Sequence, residues 1–214
     1  MSFKPTLYVM VGLPYSGKST QINTDTNLIP LPIVDTDTYI EQKAKELGKT
    51  YREIFKDYYG MANRLKNMEI ERLYKAKMSF ILDQTNLSKS KRAHIIQEAR
   101  KNGYRVIAYE FEPYRDETKL KARMNERNLK FIPLSVIRDM RSHFERVTAD
   151  EGFDEIVKID NWGENDMTEE CLLLGDGETT CVDYVYYGEV ATLEDKESVP
   201  PMTDKEIKEL SRED

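Results

Sequence analysis

Only two cysteines, Cys171 and Cys181, and two histidines, His94 and His143, occur among the 214 residues. Two cysteines without a secretory apolar segment ahead of them exclude a disulfide-dense secreted scaffold and read as reduced thiols in a cytoplasmic protein. The histidines match neither metal-ligand nor catalytic-triad spacing, so neither is assigned a role. No apolar stretch approaches the roughly 18 residues that a membrane span requires. The short apolar run at 7–11 ends in Gly12 rather than at a small-residue cleavage site, so it reads as a first strand and not as a signal segment. No internal repeat is found.

What the chain does contain is enough apolar material for a core, 39% hydrophobic and 10% aromatic, so disorder throughout is excluded. The length suits one domain with an appendage, or two small ones. A net charge of −7 argues against a polyanionic partner only while it is summed over the whole chain. Residues 1–149 hold 27 basic and 18 acidic side chains, an excess of +9, whereas 150–214 hold 5 and 21, an excess of −16. The two parts are different objects, and the first is cationic.

Five short apolar runs, at 7–11, 31–34, 80–82, 106–111 and 156–159, read as buried strands. Helical spacing lies between them. Ile40, Ala44 and Leu47 are stopped by Gly48, and Met61, Leu65, Met68, Leu73 and Ala76 form a longer stripe. Ser88 or Ser90 caps a helix carrying Ile95, Ile96 and Ala99 that Gly103 closes, and Pro133 opens another with Leu134, Ile137, Met140, Phe144 and Val147 on one side. Alternating strands and helices predict an α/β domain over 1–160, a parallel sheet of about five strands with helices on both faces. Residues 161–214 are expected to form an acidic extension. Strand-like runs at 171–174 and 181–187 flank Gly175-Asp176-Gly177-Glu178 as a β-hairpin, followed by a flexible or short helical tail.

The segment Gly12-Leu13-Pro14-Tyr15-Ser16-Gly17-Lys18-Ser19-Thr20 fits G-x-x-x-x-G-K-[ST] between the first strand and a helix. In such a phosphate loop the backbone around Gly12, Ser16, Gly17 and Thr20 cradles a triphosphate. Lys18 reaches the β and γ oxygens, and the Ser19 hydroxyl ligates Mg²⁺. The pattern implies a nucleoside triphosphate without separating kinases from ATPases or GTPases. Asp37, just past the second strand, stands where ligands collect on a parallel sheet and can accept the proton of an attacking hydroxyl. Asp35 and Asp37 fit helix capping equally well. Asp83, ending the third strand, can hold Mg²⁺ through water or orient the acceptor, or else cap the loop Asp83-Gln84-Thr85-Asn86. Arg123 and Arg127, four apart, share a helix face and on spacing alone read as solvated surface. Trp162 and the tail tyrosines have acidic neighbours and read as packing residues.

Four blocks taken in order resemble the kinase domain of the bacteriophage polynucleotide kinases over about residues 7–147. They are the phosphate loop, Asp35-Thr36-Asp37-Thr38-Tyr39, Asp83-Gln84-Thr85-Asn86-Leu87 with Arg92 after it, and the stretch 120–140 with Arg123, Arg127, Lys130, Pro133, Val136, Arg138 and Met140. The resemblance implies a P-loop kinase fold with a helical lid. It implies ATP as donor, Mg²⁺, the 5′-hydroxyl of DNA or RNA as acceptor, and a cytoplasmic setting, that of the host if the chain is phage-encoded. It places the general base at Asp37, the acceptor contacts at Asp37, Asp83, Thr85 and Asn86, and the lid arginines at Arg123 and Arg127, reversing the surface reading of that pair. Two features depart from the family. Ile40 stands where the family has an arginine for the acceptor's 3′-phosphate, with Lys43 or Lys45 a turn further on, and the phosphatase motif of some members is lacking. The expected activity is therefore a 5′-hydroxyl kinase without a 3′-phosphatase. Its rivals are a kinase for a small nucleoside or nucleotide, and a non-catalytic nucleotide-binding module. Subunit number is left open.

Overall fold

A computed structural model describes residues 4–126 and 132–162. Five strands form one sheet in the order β2-β3-β1-β4-β5, every adjacent pair parallel. They are β1 (Thr6–Val11), β2 (Ile33–Val34), β3 (Phe80–Leu82), β4 (Arg105–Phe111) and β5 (Glu155–Ile159). The helices are α1 (Lys18–Thr24), α2 (Asp37–Glu46), α3 (Tyr51–Ala76), α4 (Lys89–Lys101), α5 (Glu117–Glu126) and α6 (Leu134–Ser142). Each of the five expected strands forms, and the domain has the P-loop kinase fold. The expected hairpin, Cys171, Cys181 and the tail lie outside the described residues, as do Arg127 and Lys130.

Strand side chains alternate between two cores. Leu7, Val9 and Val11 of β1 join Val106 and Ala108 of β4 on the face covered by α3 and α4, with Leu73, Tyr74, Ile96 and Ala99 packed over them. Met10, Ile107, Tyr109 and Phe111 face the other way, toward Ile22 of α1. The central strands are thus buried on both sides, which is why β1 and β3 read as apolar runs, and the 106–111 run of β4 departs from one only at Glu110, which accepts from Val147 N. The chain steps from β1 to β2 and β3 on one side, then to β4 and β5 on the other. This reversal at β1 opens a crevice at the carboxyl edge of the sheet, where the phosphate loop leaves.

Some expectations shift. Helix α3 starts ten residues before the stripe expected from Met61, because Thr50 and Glu53 form a reciprocal capping box. Its buried side is Ile54, Ala62, Leu65, Leu73 and Tyr74, whereas Met61 is 47% exposed. Leu47 lies beyond the end of α2 and is also exposed. Helix α6 stops at Ser142, so Phe144 and Val147 leave the side shared by Leu134, Ile137 and Met140 and pack into the core under α4. Among the described residues no helix is long and apolar enough to cross a membrane.

One polar cluster is fully internal. The side chain of Arg92 has no exposure and donates from Nε and Nη2 to both carboxylate oxygens of Glu151, at 2.7 and 2.8 Å. It also donates to the carbonyls of Asn86, Leu87 and Arg146. Burial pushes the Glu151 carboxyl up, but the Arg92 and Thr148 hydrogen bonds outweigh it and hold the group below its ordinary value. A carboxylate depressed in the native state stabilises fully above its unfolded pKa, and the contribution disappears as pH falls through the lower native value. Glu151→Gln should therefore cost roughly 3–5 kcal/mol at neutral pH, since it leaves a buried guanidinium uncompensated. In urea titrations the gap between wild type and variant should narrow as the pH drops below the usual carboxylate range.

Candidate active site

Parallel strands deliver their following loops to one edge, and three of those loops carry the expected chemistry. The phosphate loop follows β1, Asp37 opens α2 just after β2, and Asp83 follows β3 directly. The loop is built around close approaches that only glycine permits. A Cβ on Gly12 would lie 2.8 Å from Cβ of Phe111 and 2.9 Å from Oγ of Ser16. Gly17, at φ 95°, would place one 2.4 Å from the Asn161 amide nitrogen. The Lys18 ammonium arches back over the loop and donates to the carbonyls of Gly12 and Leu13, at 3.0 and 2.7 Å. Ser16 is buried, and among the described residues its hydroxyl has no hydrogen-bond partner. An orphaned buried hydroxyl inside a phosphate-binding loop fits a site shaped for an oxygen-rich ligand. Ser19 and Asp83 carry the hard oxygen donors that Mg²⁺ takes beside phosphates, so the chemistry of these side chains fits the ion.

The two aspartates after β2 divide the roles that their spacing left open. Asp35 does the capping work, accepting from the Thr38 amide at 2.6 Å and from its hydroxyl at 2.8 Å. Asp37 instead accepts a 2.6 Å hydrogen bond from the hydroxyl of Tyr51, the first residue of α3. Desolvation and this bond to Asp37 drive the Tyr51 hydroxyl far above the ordinary tyrosine value, so it remains a donor. No motif pointed to Tyr51; only the packing of α2 against α3 reveals it.

The loop after β3 is tied to the phosphate loop through its backbone, Gly12 N donating to Thr85 O at 3.0 Å. Asp83 and Thr85 stand partly exposed at this junction. Asn86 does not reach the acceptor surface. It is fully buried at φ 47°, and its amide donates to Met10 O at 2.8 Å, pinning the loop to β1. Gln84 crosses to the Thr36 hydroxyl at 3.0 Å, joining the ends of β3 and β2. A cavity of about 470 Å³ between α3 and α4 touches Gln84, Lys66, Lys91 and His94 but contains no predicted catalytic residue.

Arg123, on α5, lies against the same loop. Its guanidinium donates to Tyr15 O at 3.1 Å and to Asn161 O, and stacks 4.0 Å from the centroid of Trp162. Desolvation pushes this arginine below its ordinary value. Trp162 is packed with Tyr114, Leu120 and Ile137, and its indole N–H donates to Glu112 O at 2.8 Å. The Asn161 amide donates to Ser16 O at 3.2 Å. Both residues lie beyond the expected boundary at 160, yet they hold the phosphate loop from behind. The packing role read for Trp162 fits this arrangement, whereas nothing in the sequence singled out Asn161. Among the described residues no cluster of three or more metal-binding side chains exists, and His94 and His143 stay outside the site.

A chain ended after Asp160 should therefore melt several degrees below one ended after Trp162 and bind a fluorescent ATP analogue about tenfold more weakly. Thermal melts and fluorescence titrations of the two truncations check this.

Likenesses to solved structures are at low identity and bear on the fold alone. A candidate kinase from Chloroflexus aurantiacus superposes with a TM-score of 0.56 at 16% identity, over 73% of this chain and 85% of that one. The PezAT toxin–antitoxin system of Streptococcus pneumoniae gives 0.52 at 17%, over 75% and 69%. A curated shikimate kinase of Clostridium botulinum is 42% identical over 62 residues, which span 29% of this chain and about a third, 35%, of that relative. The model of one AAA domain family, AAA_33, matches residues 7–147, and with the phosphate loop, both aspartate-bearing strand ends and helix α5 inside that span, the chain belongs to this family.

Proposed function

We propose that the chain is an ATP-dependent polynucleotide kinase that transfers the γ-phosphate of ATP to the 5′-hydroxyl of DNA or RNA. The observation that carries the reading is the meeting, at one sheet edge, of the phosphate loop with Asp37 and Asp83 from the two neighbouring strand ends. Asp37 accepts the proton of the attacking hydroxyl, while the Tyr51 hydroxyl fixes the carboxylate's orientation. Lys18 exchanges its bonds to loop carbonyls for the β and γ oxygens, and Asp83 with Thr85 orients the acceptor. When bound at Ser19, Mg²⁺ neutralises charge on the transferring group. In this arrangement Arg123 braces the loop, leaving Arg127 as the lid arginine that meets the phosphoryl group. The new bond forms between the 5′ oxygen and phosphorus as the bond to the ADP oxygen breaks.

A second reading, a kinase for a small acceptor, has two supports. Ile40, at the position of the family's acceptor arginine, is fully buried among Ala44, Ile54 and Ala62 and offers nothing to a phosphate. The partial relative is named for a small substrate, shikimate. The excess of 27 basic over 18 acidic residues in 1–149 favours the polymer, because a small acceptor needs no broad cationic surface.

Asp37→Asn should lower kcat by roughly 10²–10⁴-fold while leaving ATP affinity near wild type. Steady-state kinetics with an oligonucleotide acceptor check this. For the wild type, KM for that acceptor should rise steeply between 50 and 200 mM salt, whereas KM for a nucleoside would stay flat.

A further inference from the structure

Helix α3 leaves Asp37 with an exposed aromatic stripe. Tyr51, Phe55 and Tyr59 are spaced at i, i+4 and i+8, with ring centroids 5.5 and 5.4 Å apart and planes tilted by 35° and 45°. The first ring is fixed to the acceptor-side carboxylate by its hydroxyl. The other two are 40% and 46% exposed, on a helix whose core contacts are made by Ile54, Ala62 and Leu65 instead. Large aromatics left open in a row are uncommon where no ligand covers them. Exposed Lys49, Arg52 and Lys56 flank the stripe. Of the acidic neighbours, Glu53 is engaged by the cap at Thr50, Asp37 takes the Tyr51 hydroxyl, and Asp35 and Glu41 lie near Tyr51 at the Asp37 end, which leaves Asp57 beside the two open rings.

We infer that Phe55 and Tyr59 are a stacking platform for the first unpaired bases of a single-stranded polynucleotide whose 5′ end lies at Asp37. The inference rests on the polynucleotide reading and adds the path of the strand to it. Continuity with Asp37 selects this occupant over a protein partner: a strand with its 5′-hydroxyl at the carboxylate has the aromatic faces next along its course, and the three cations beside its phosphates. Every base presents a π-face, so the platform accepts DNA and RNA without reading sequence.

The test uses the full chain and an oligonucleotide that already carries a 5′-phosphate, so that binding is read apart from transfer. Phe55→Leu/Tyr59→Leu keeps apolar bulk but removes both π-faces, and Phe55→Trp/Tyr59→Phe keeps them. Fluorescence anisotropy should show the leucine pair binding a fluorescent eight-nucleotide strand at least tenfold more weakly and the aromatic pair binding it normally. Melting temperature and KM for a mononucleotide acceptor should be unchanged in both. Wild-type affinity in the leucine pair would overturn the platform. So would equal losses for strand and mononucleotide, or a change in sedimentation coefficient showing that the stripe joins two copies of the chain. If the wild type phosphorylates no oligonucleotide yet binds strands in a Phe55- and Tyr59-dependent way, the kinase reading fails and the platform stands. If it phosphorylates them and the leucine pair does so with unaltered KM, the reverse holds.

Discussion

The active edge depends on a buried guanidinium. Arg92, on α4, is sealed from solvent and must have all its donors met inside the protein. Two go to Glu151 and others to the adjacent carbonyls of Asn86 and Leu87 in the loop that follows β3. That loop is thereby held in a shape in which Asn86 adopts a positive φ and turns its amide onto Met10, and Thr85 accepts from Gly12. The position of Asp83 relative to the phosphate loop follows from this chain of bonds. A hydrophobic residue in place of Arg92 could fill the volume, but it could not reach three carbonyls at once.

A second set of contacts braces the phosphate loop from the lid side. Arg123, Asn161 and Trp162 meet the carbonyls of Tyr15 and Ser16 through two direct bonds, with the indole as a backing plate. Preorganisation of this kind matters for phosphoryl transfer, where positioning and electrostatics supply most of the rate. Helix α5 and the segment after β5 are therefore tied by hydrogen bonds to the loop that would hold ATP. The cationic excess belongs to this part of the chain, and the acidic segment beyond it includes none of the residues assigned to catalysis.

The phosphate loop was readable because its chemistry demands particular residues at adjacent positions, and β1 and β3 because burial on two faces leaves nothing charged to interrupt them. On spacing alone the aspartates after β2 were readable as a pair, and only the resemblance singled out Asp37. Which of them caps and which faces Tyr51 is decided by the angle at which α2 packs on α3, a tertiary property. Asn161 reaches Ser16 across 145 positions, and no local pattern encodes such a contact. The arginine pair shows the same limit from the other side. Its spacing suggested surface and its family resemblance suggested a lid, and the structure gives Arg123 carbonyl partners that neither reading contained. Ile40 was visible as a departure from the family, and its burial between α2 and α3 explains why no cation fits there.

The identity of the acceptor is the point on which this account stands. The most direct measurement is to incubate the full-length protein with γ-labelled ATP and Mg²⁺ and equal concentrations of 5′-hydroxyl DNA, 5′-hydroxyl RNA, a 3′-nucleotide and a nucleoside. The account predicts label at the 5′ ends of the polymers, with transfer to the free nucleoside slower by orders of magnitude. Efficient labelling of the nucleoside with none on either polymer would contradict it.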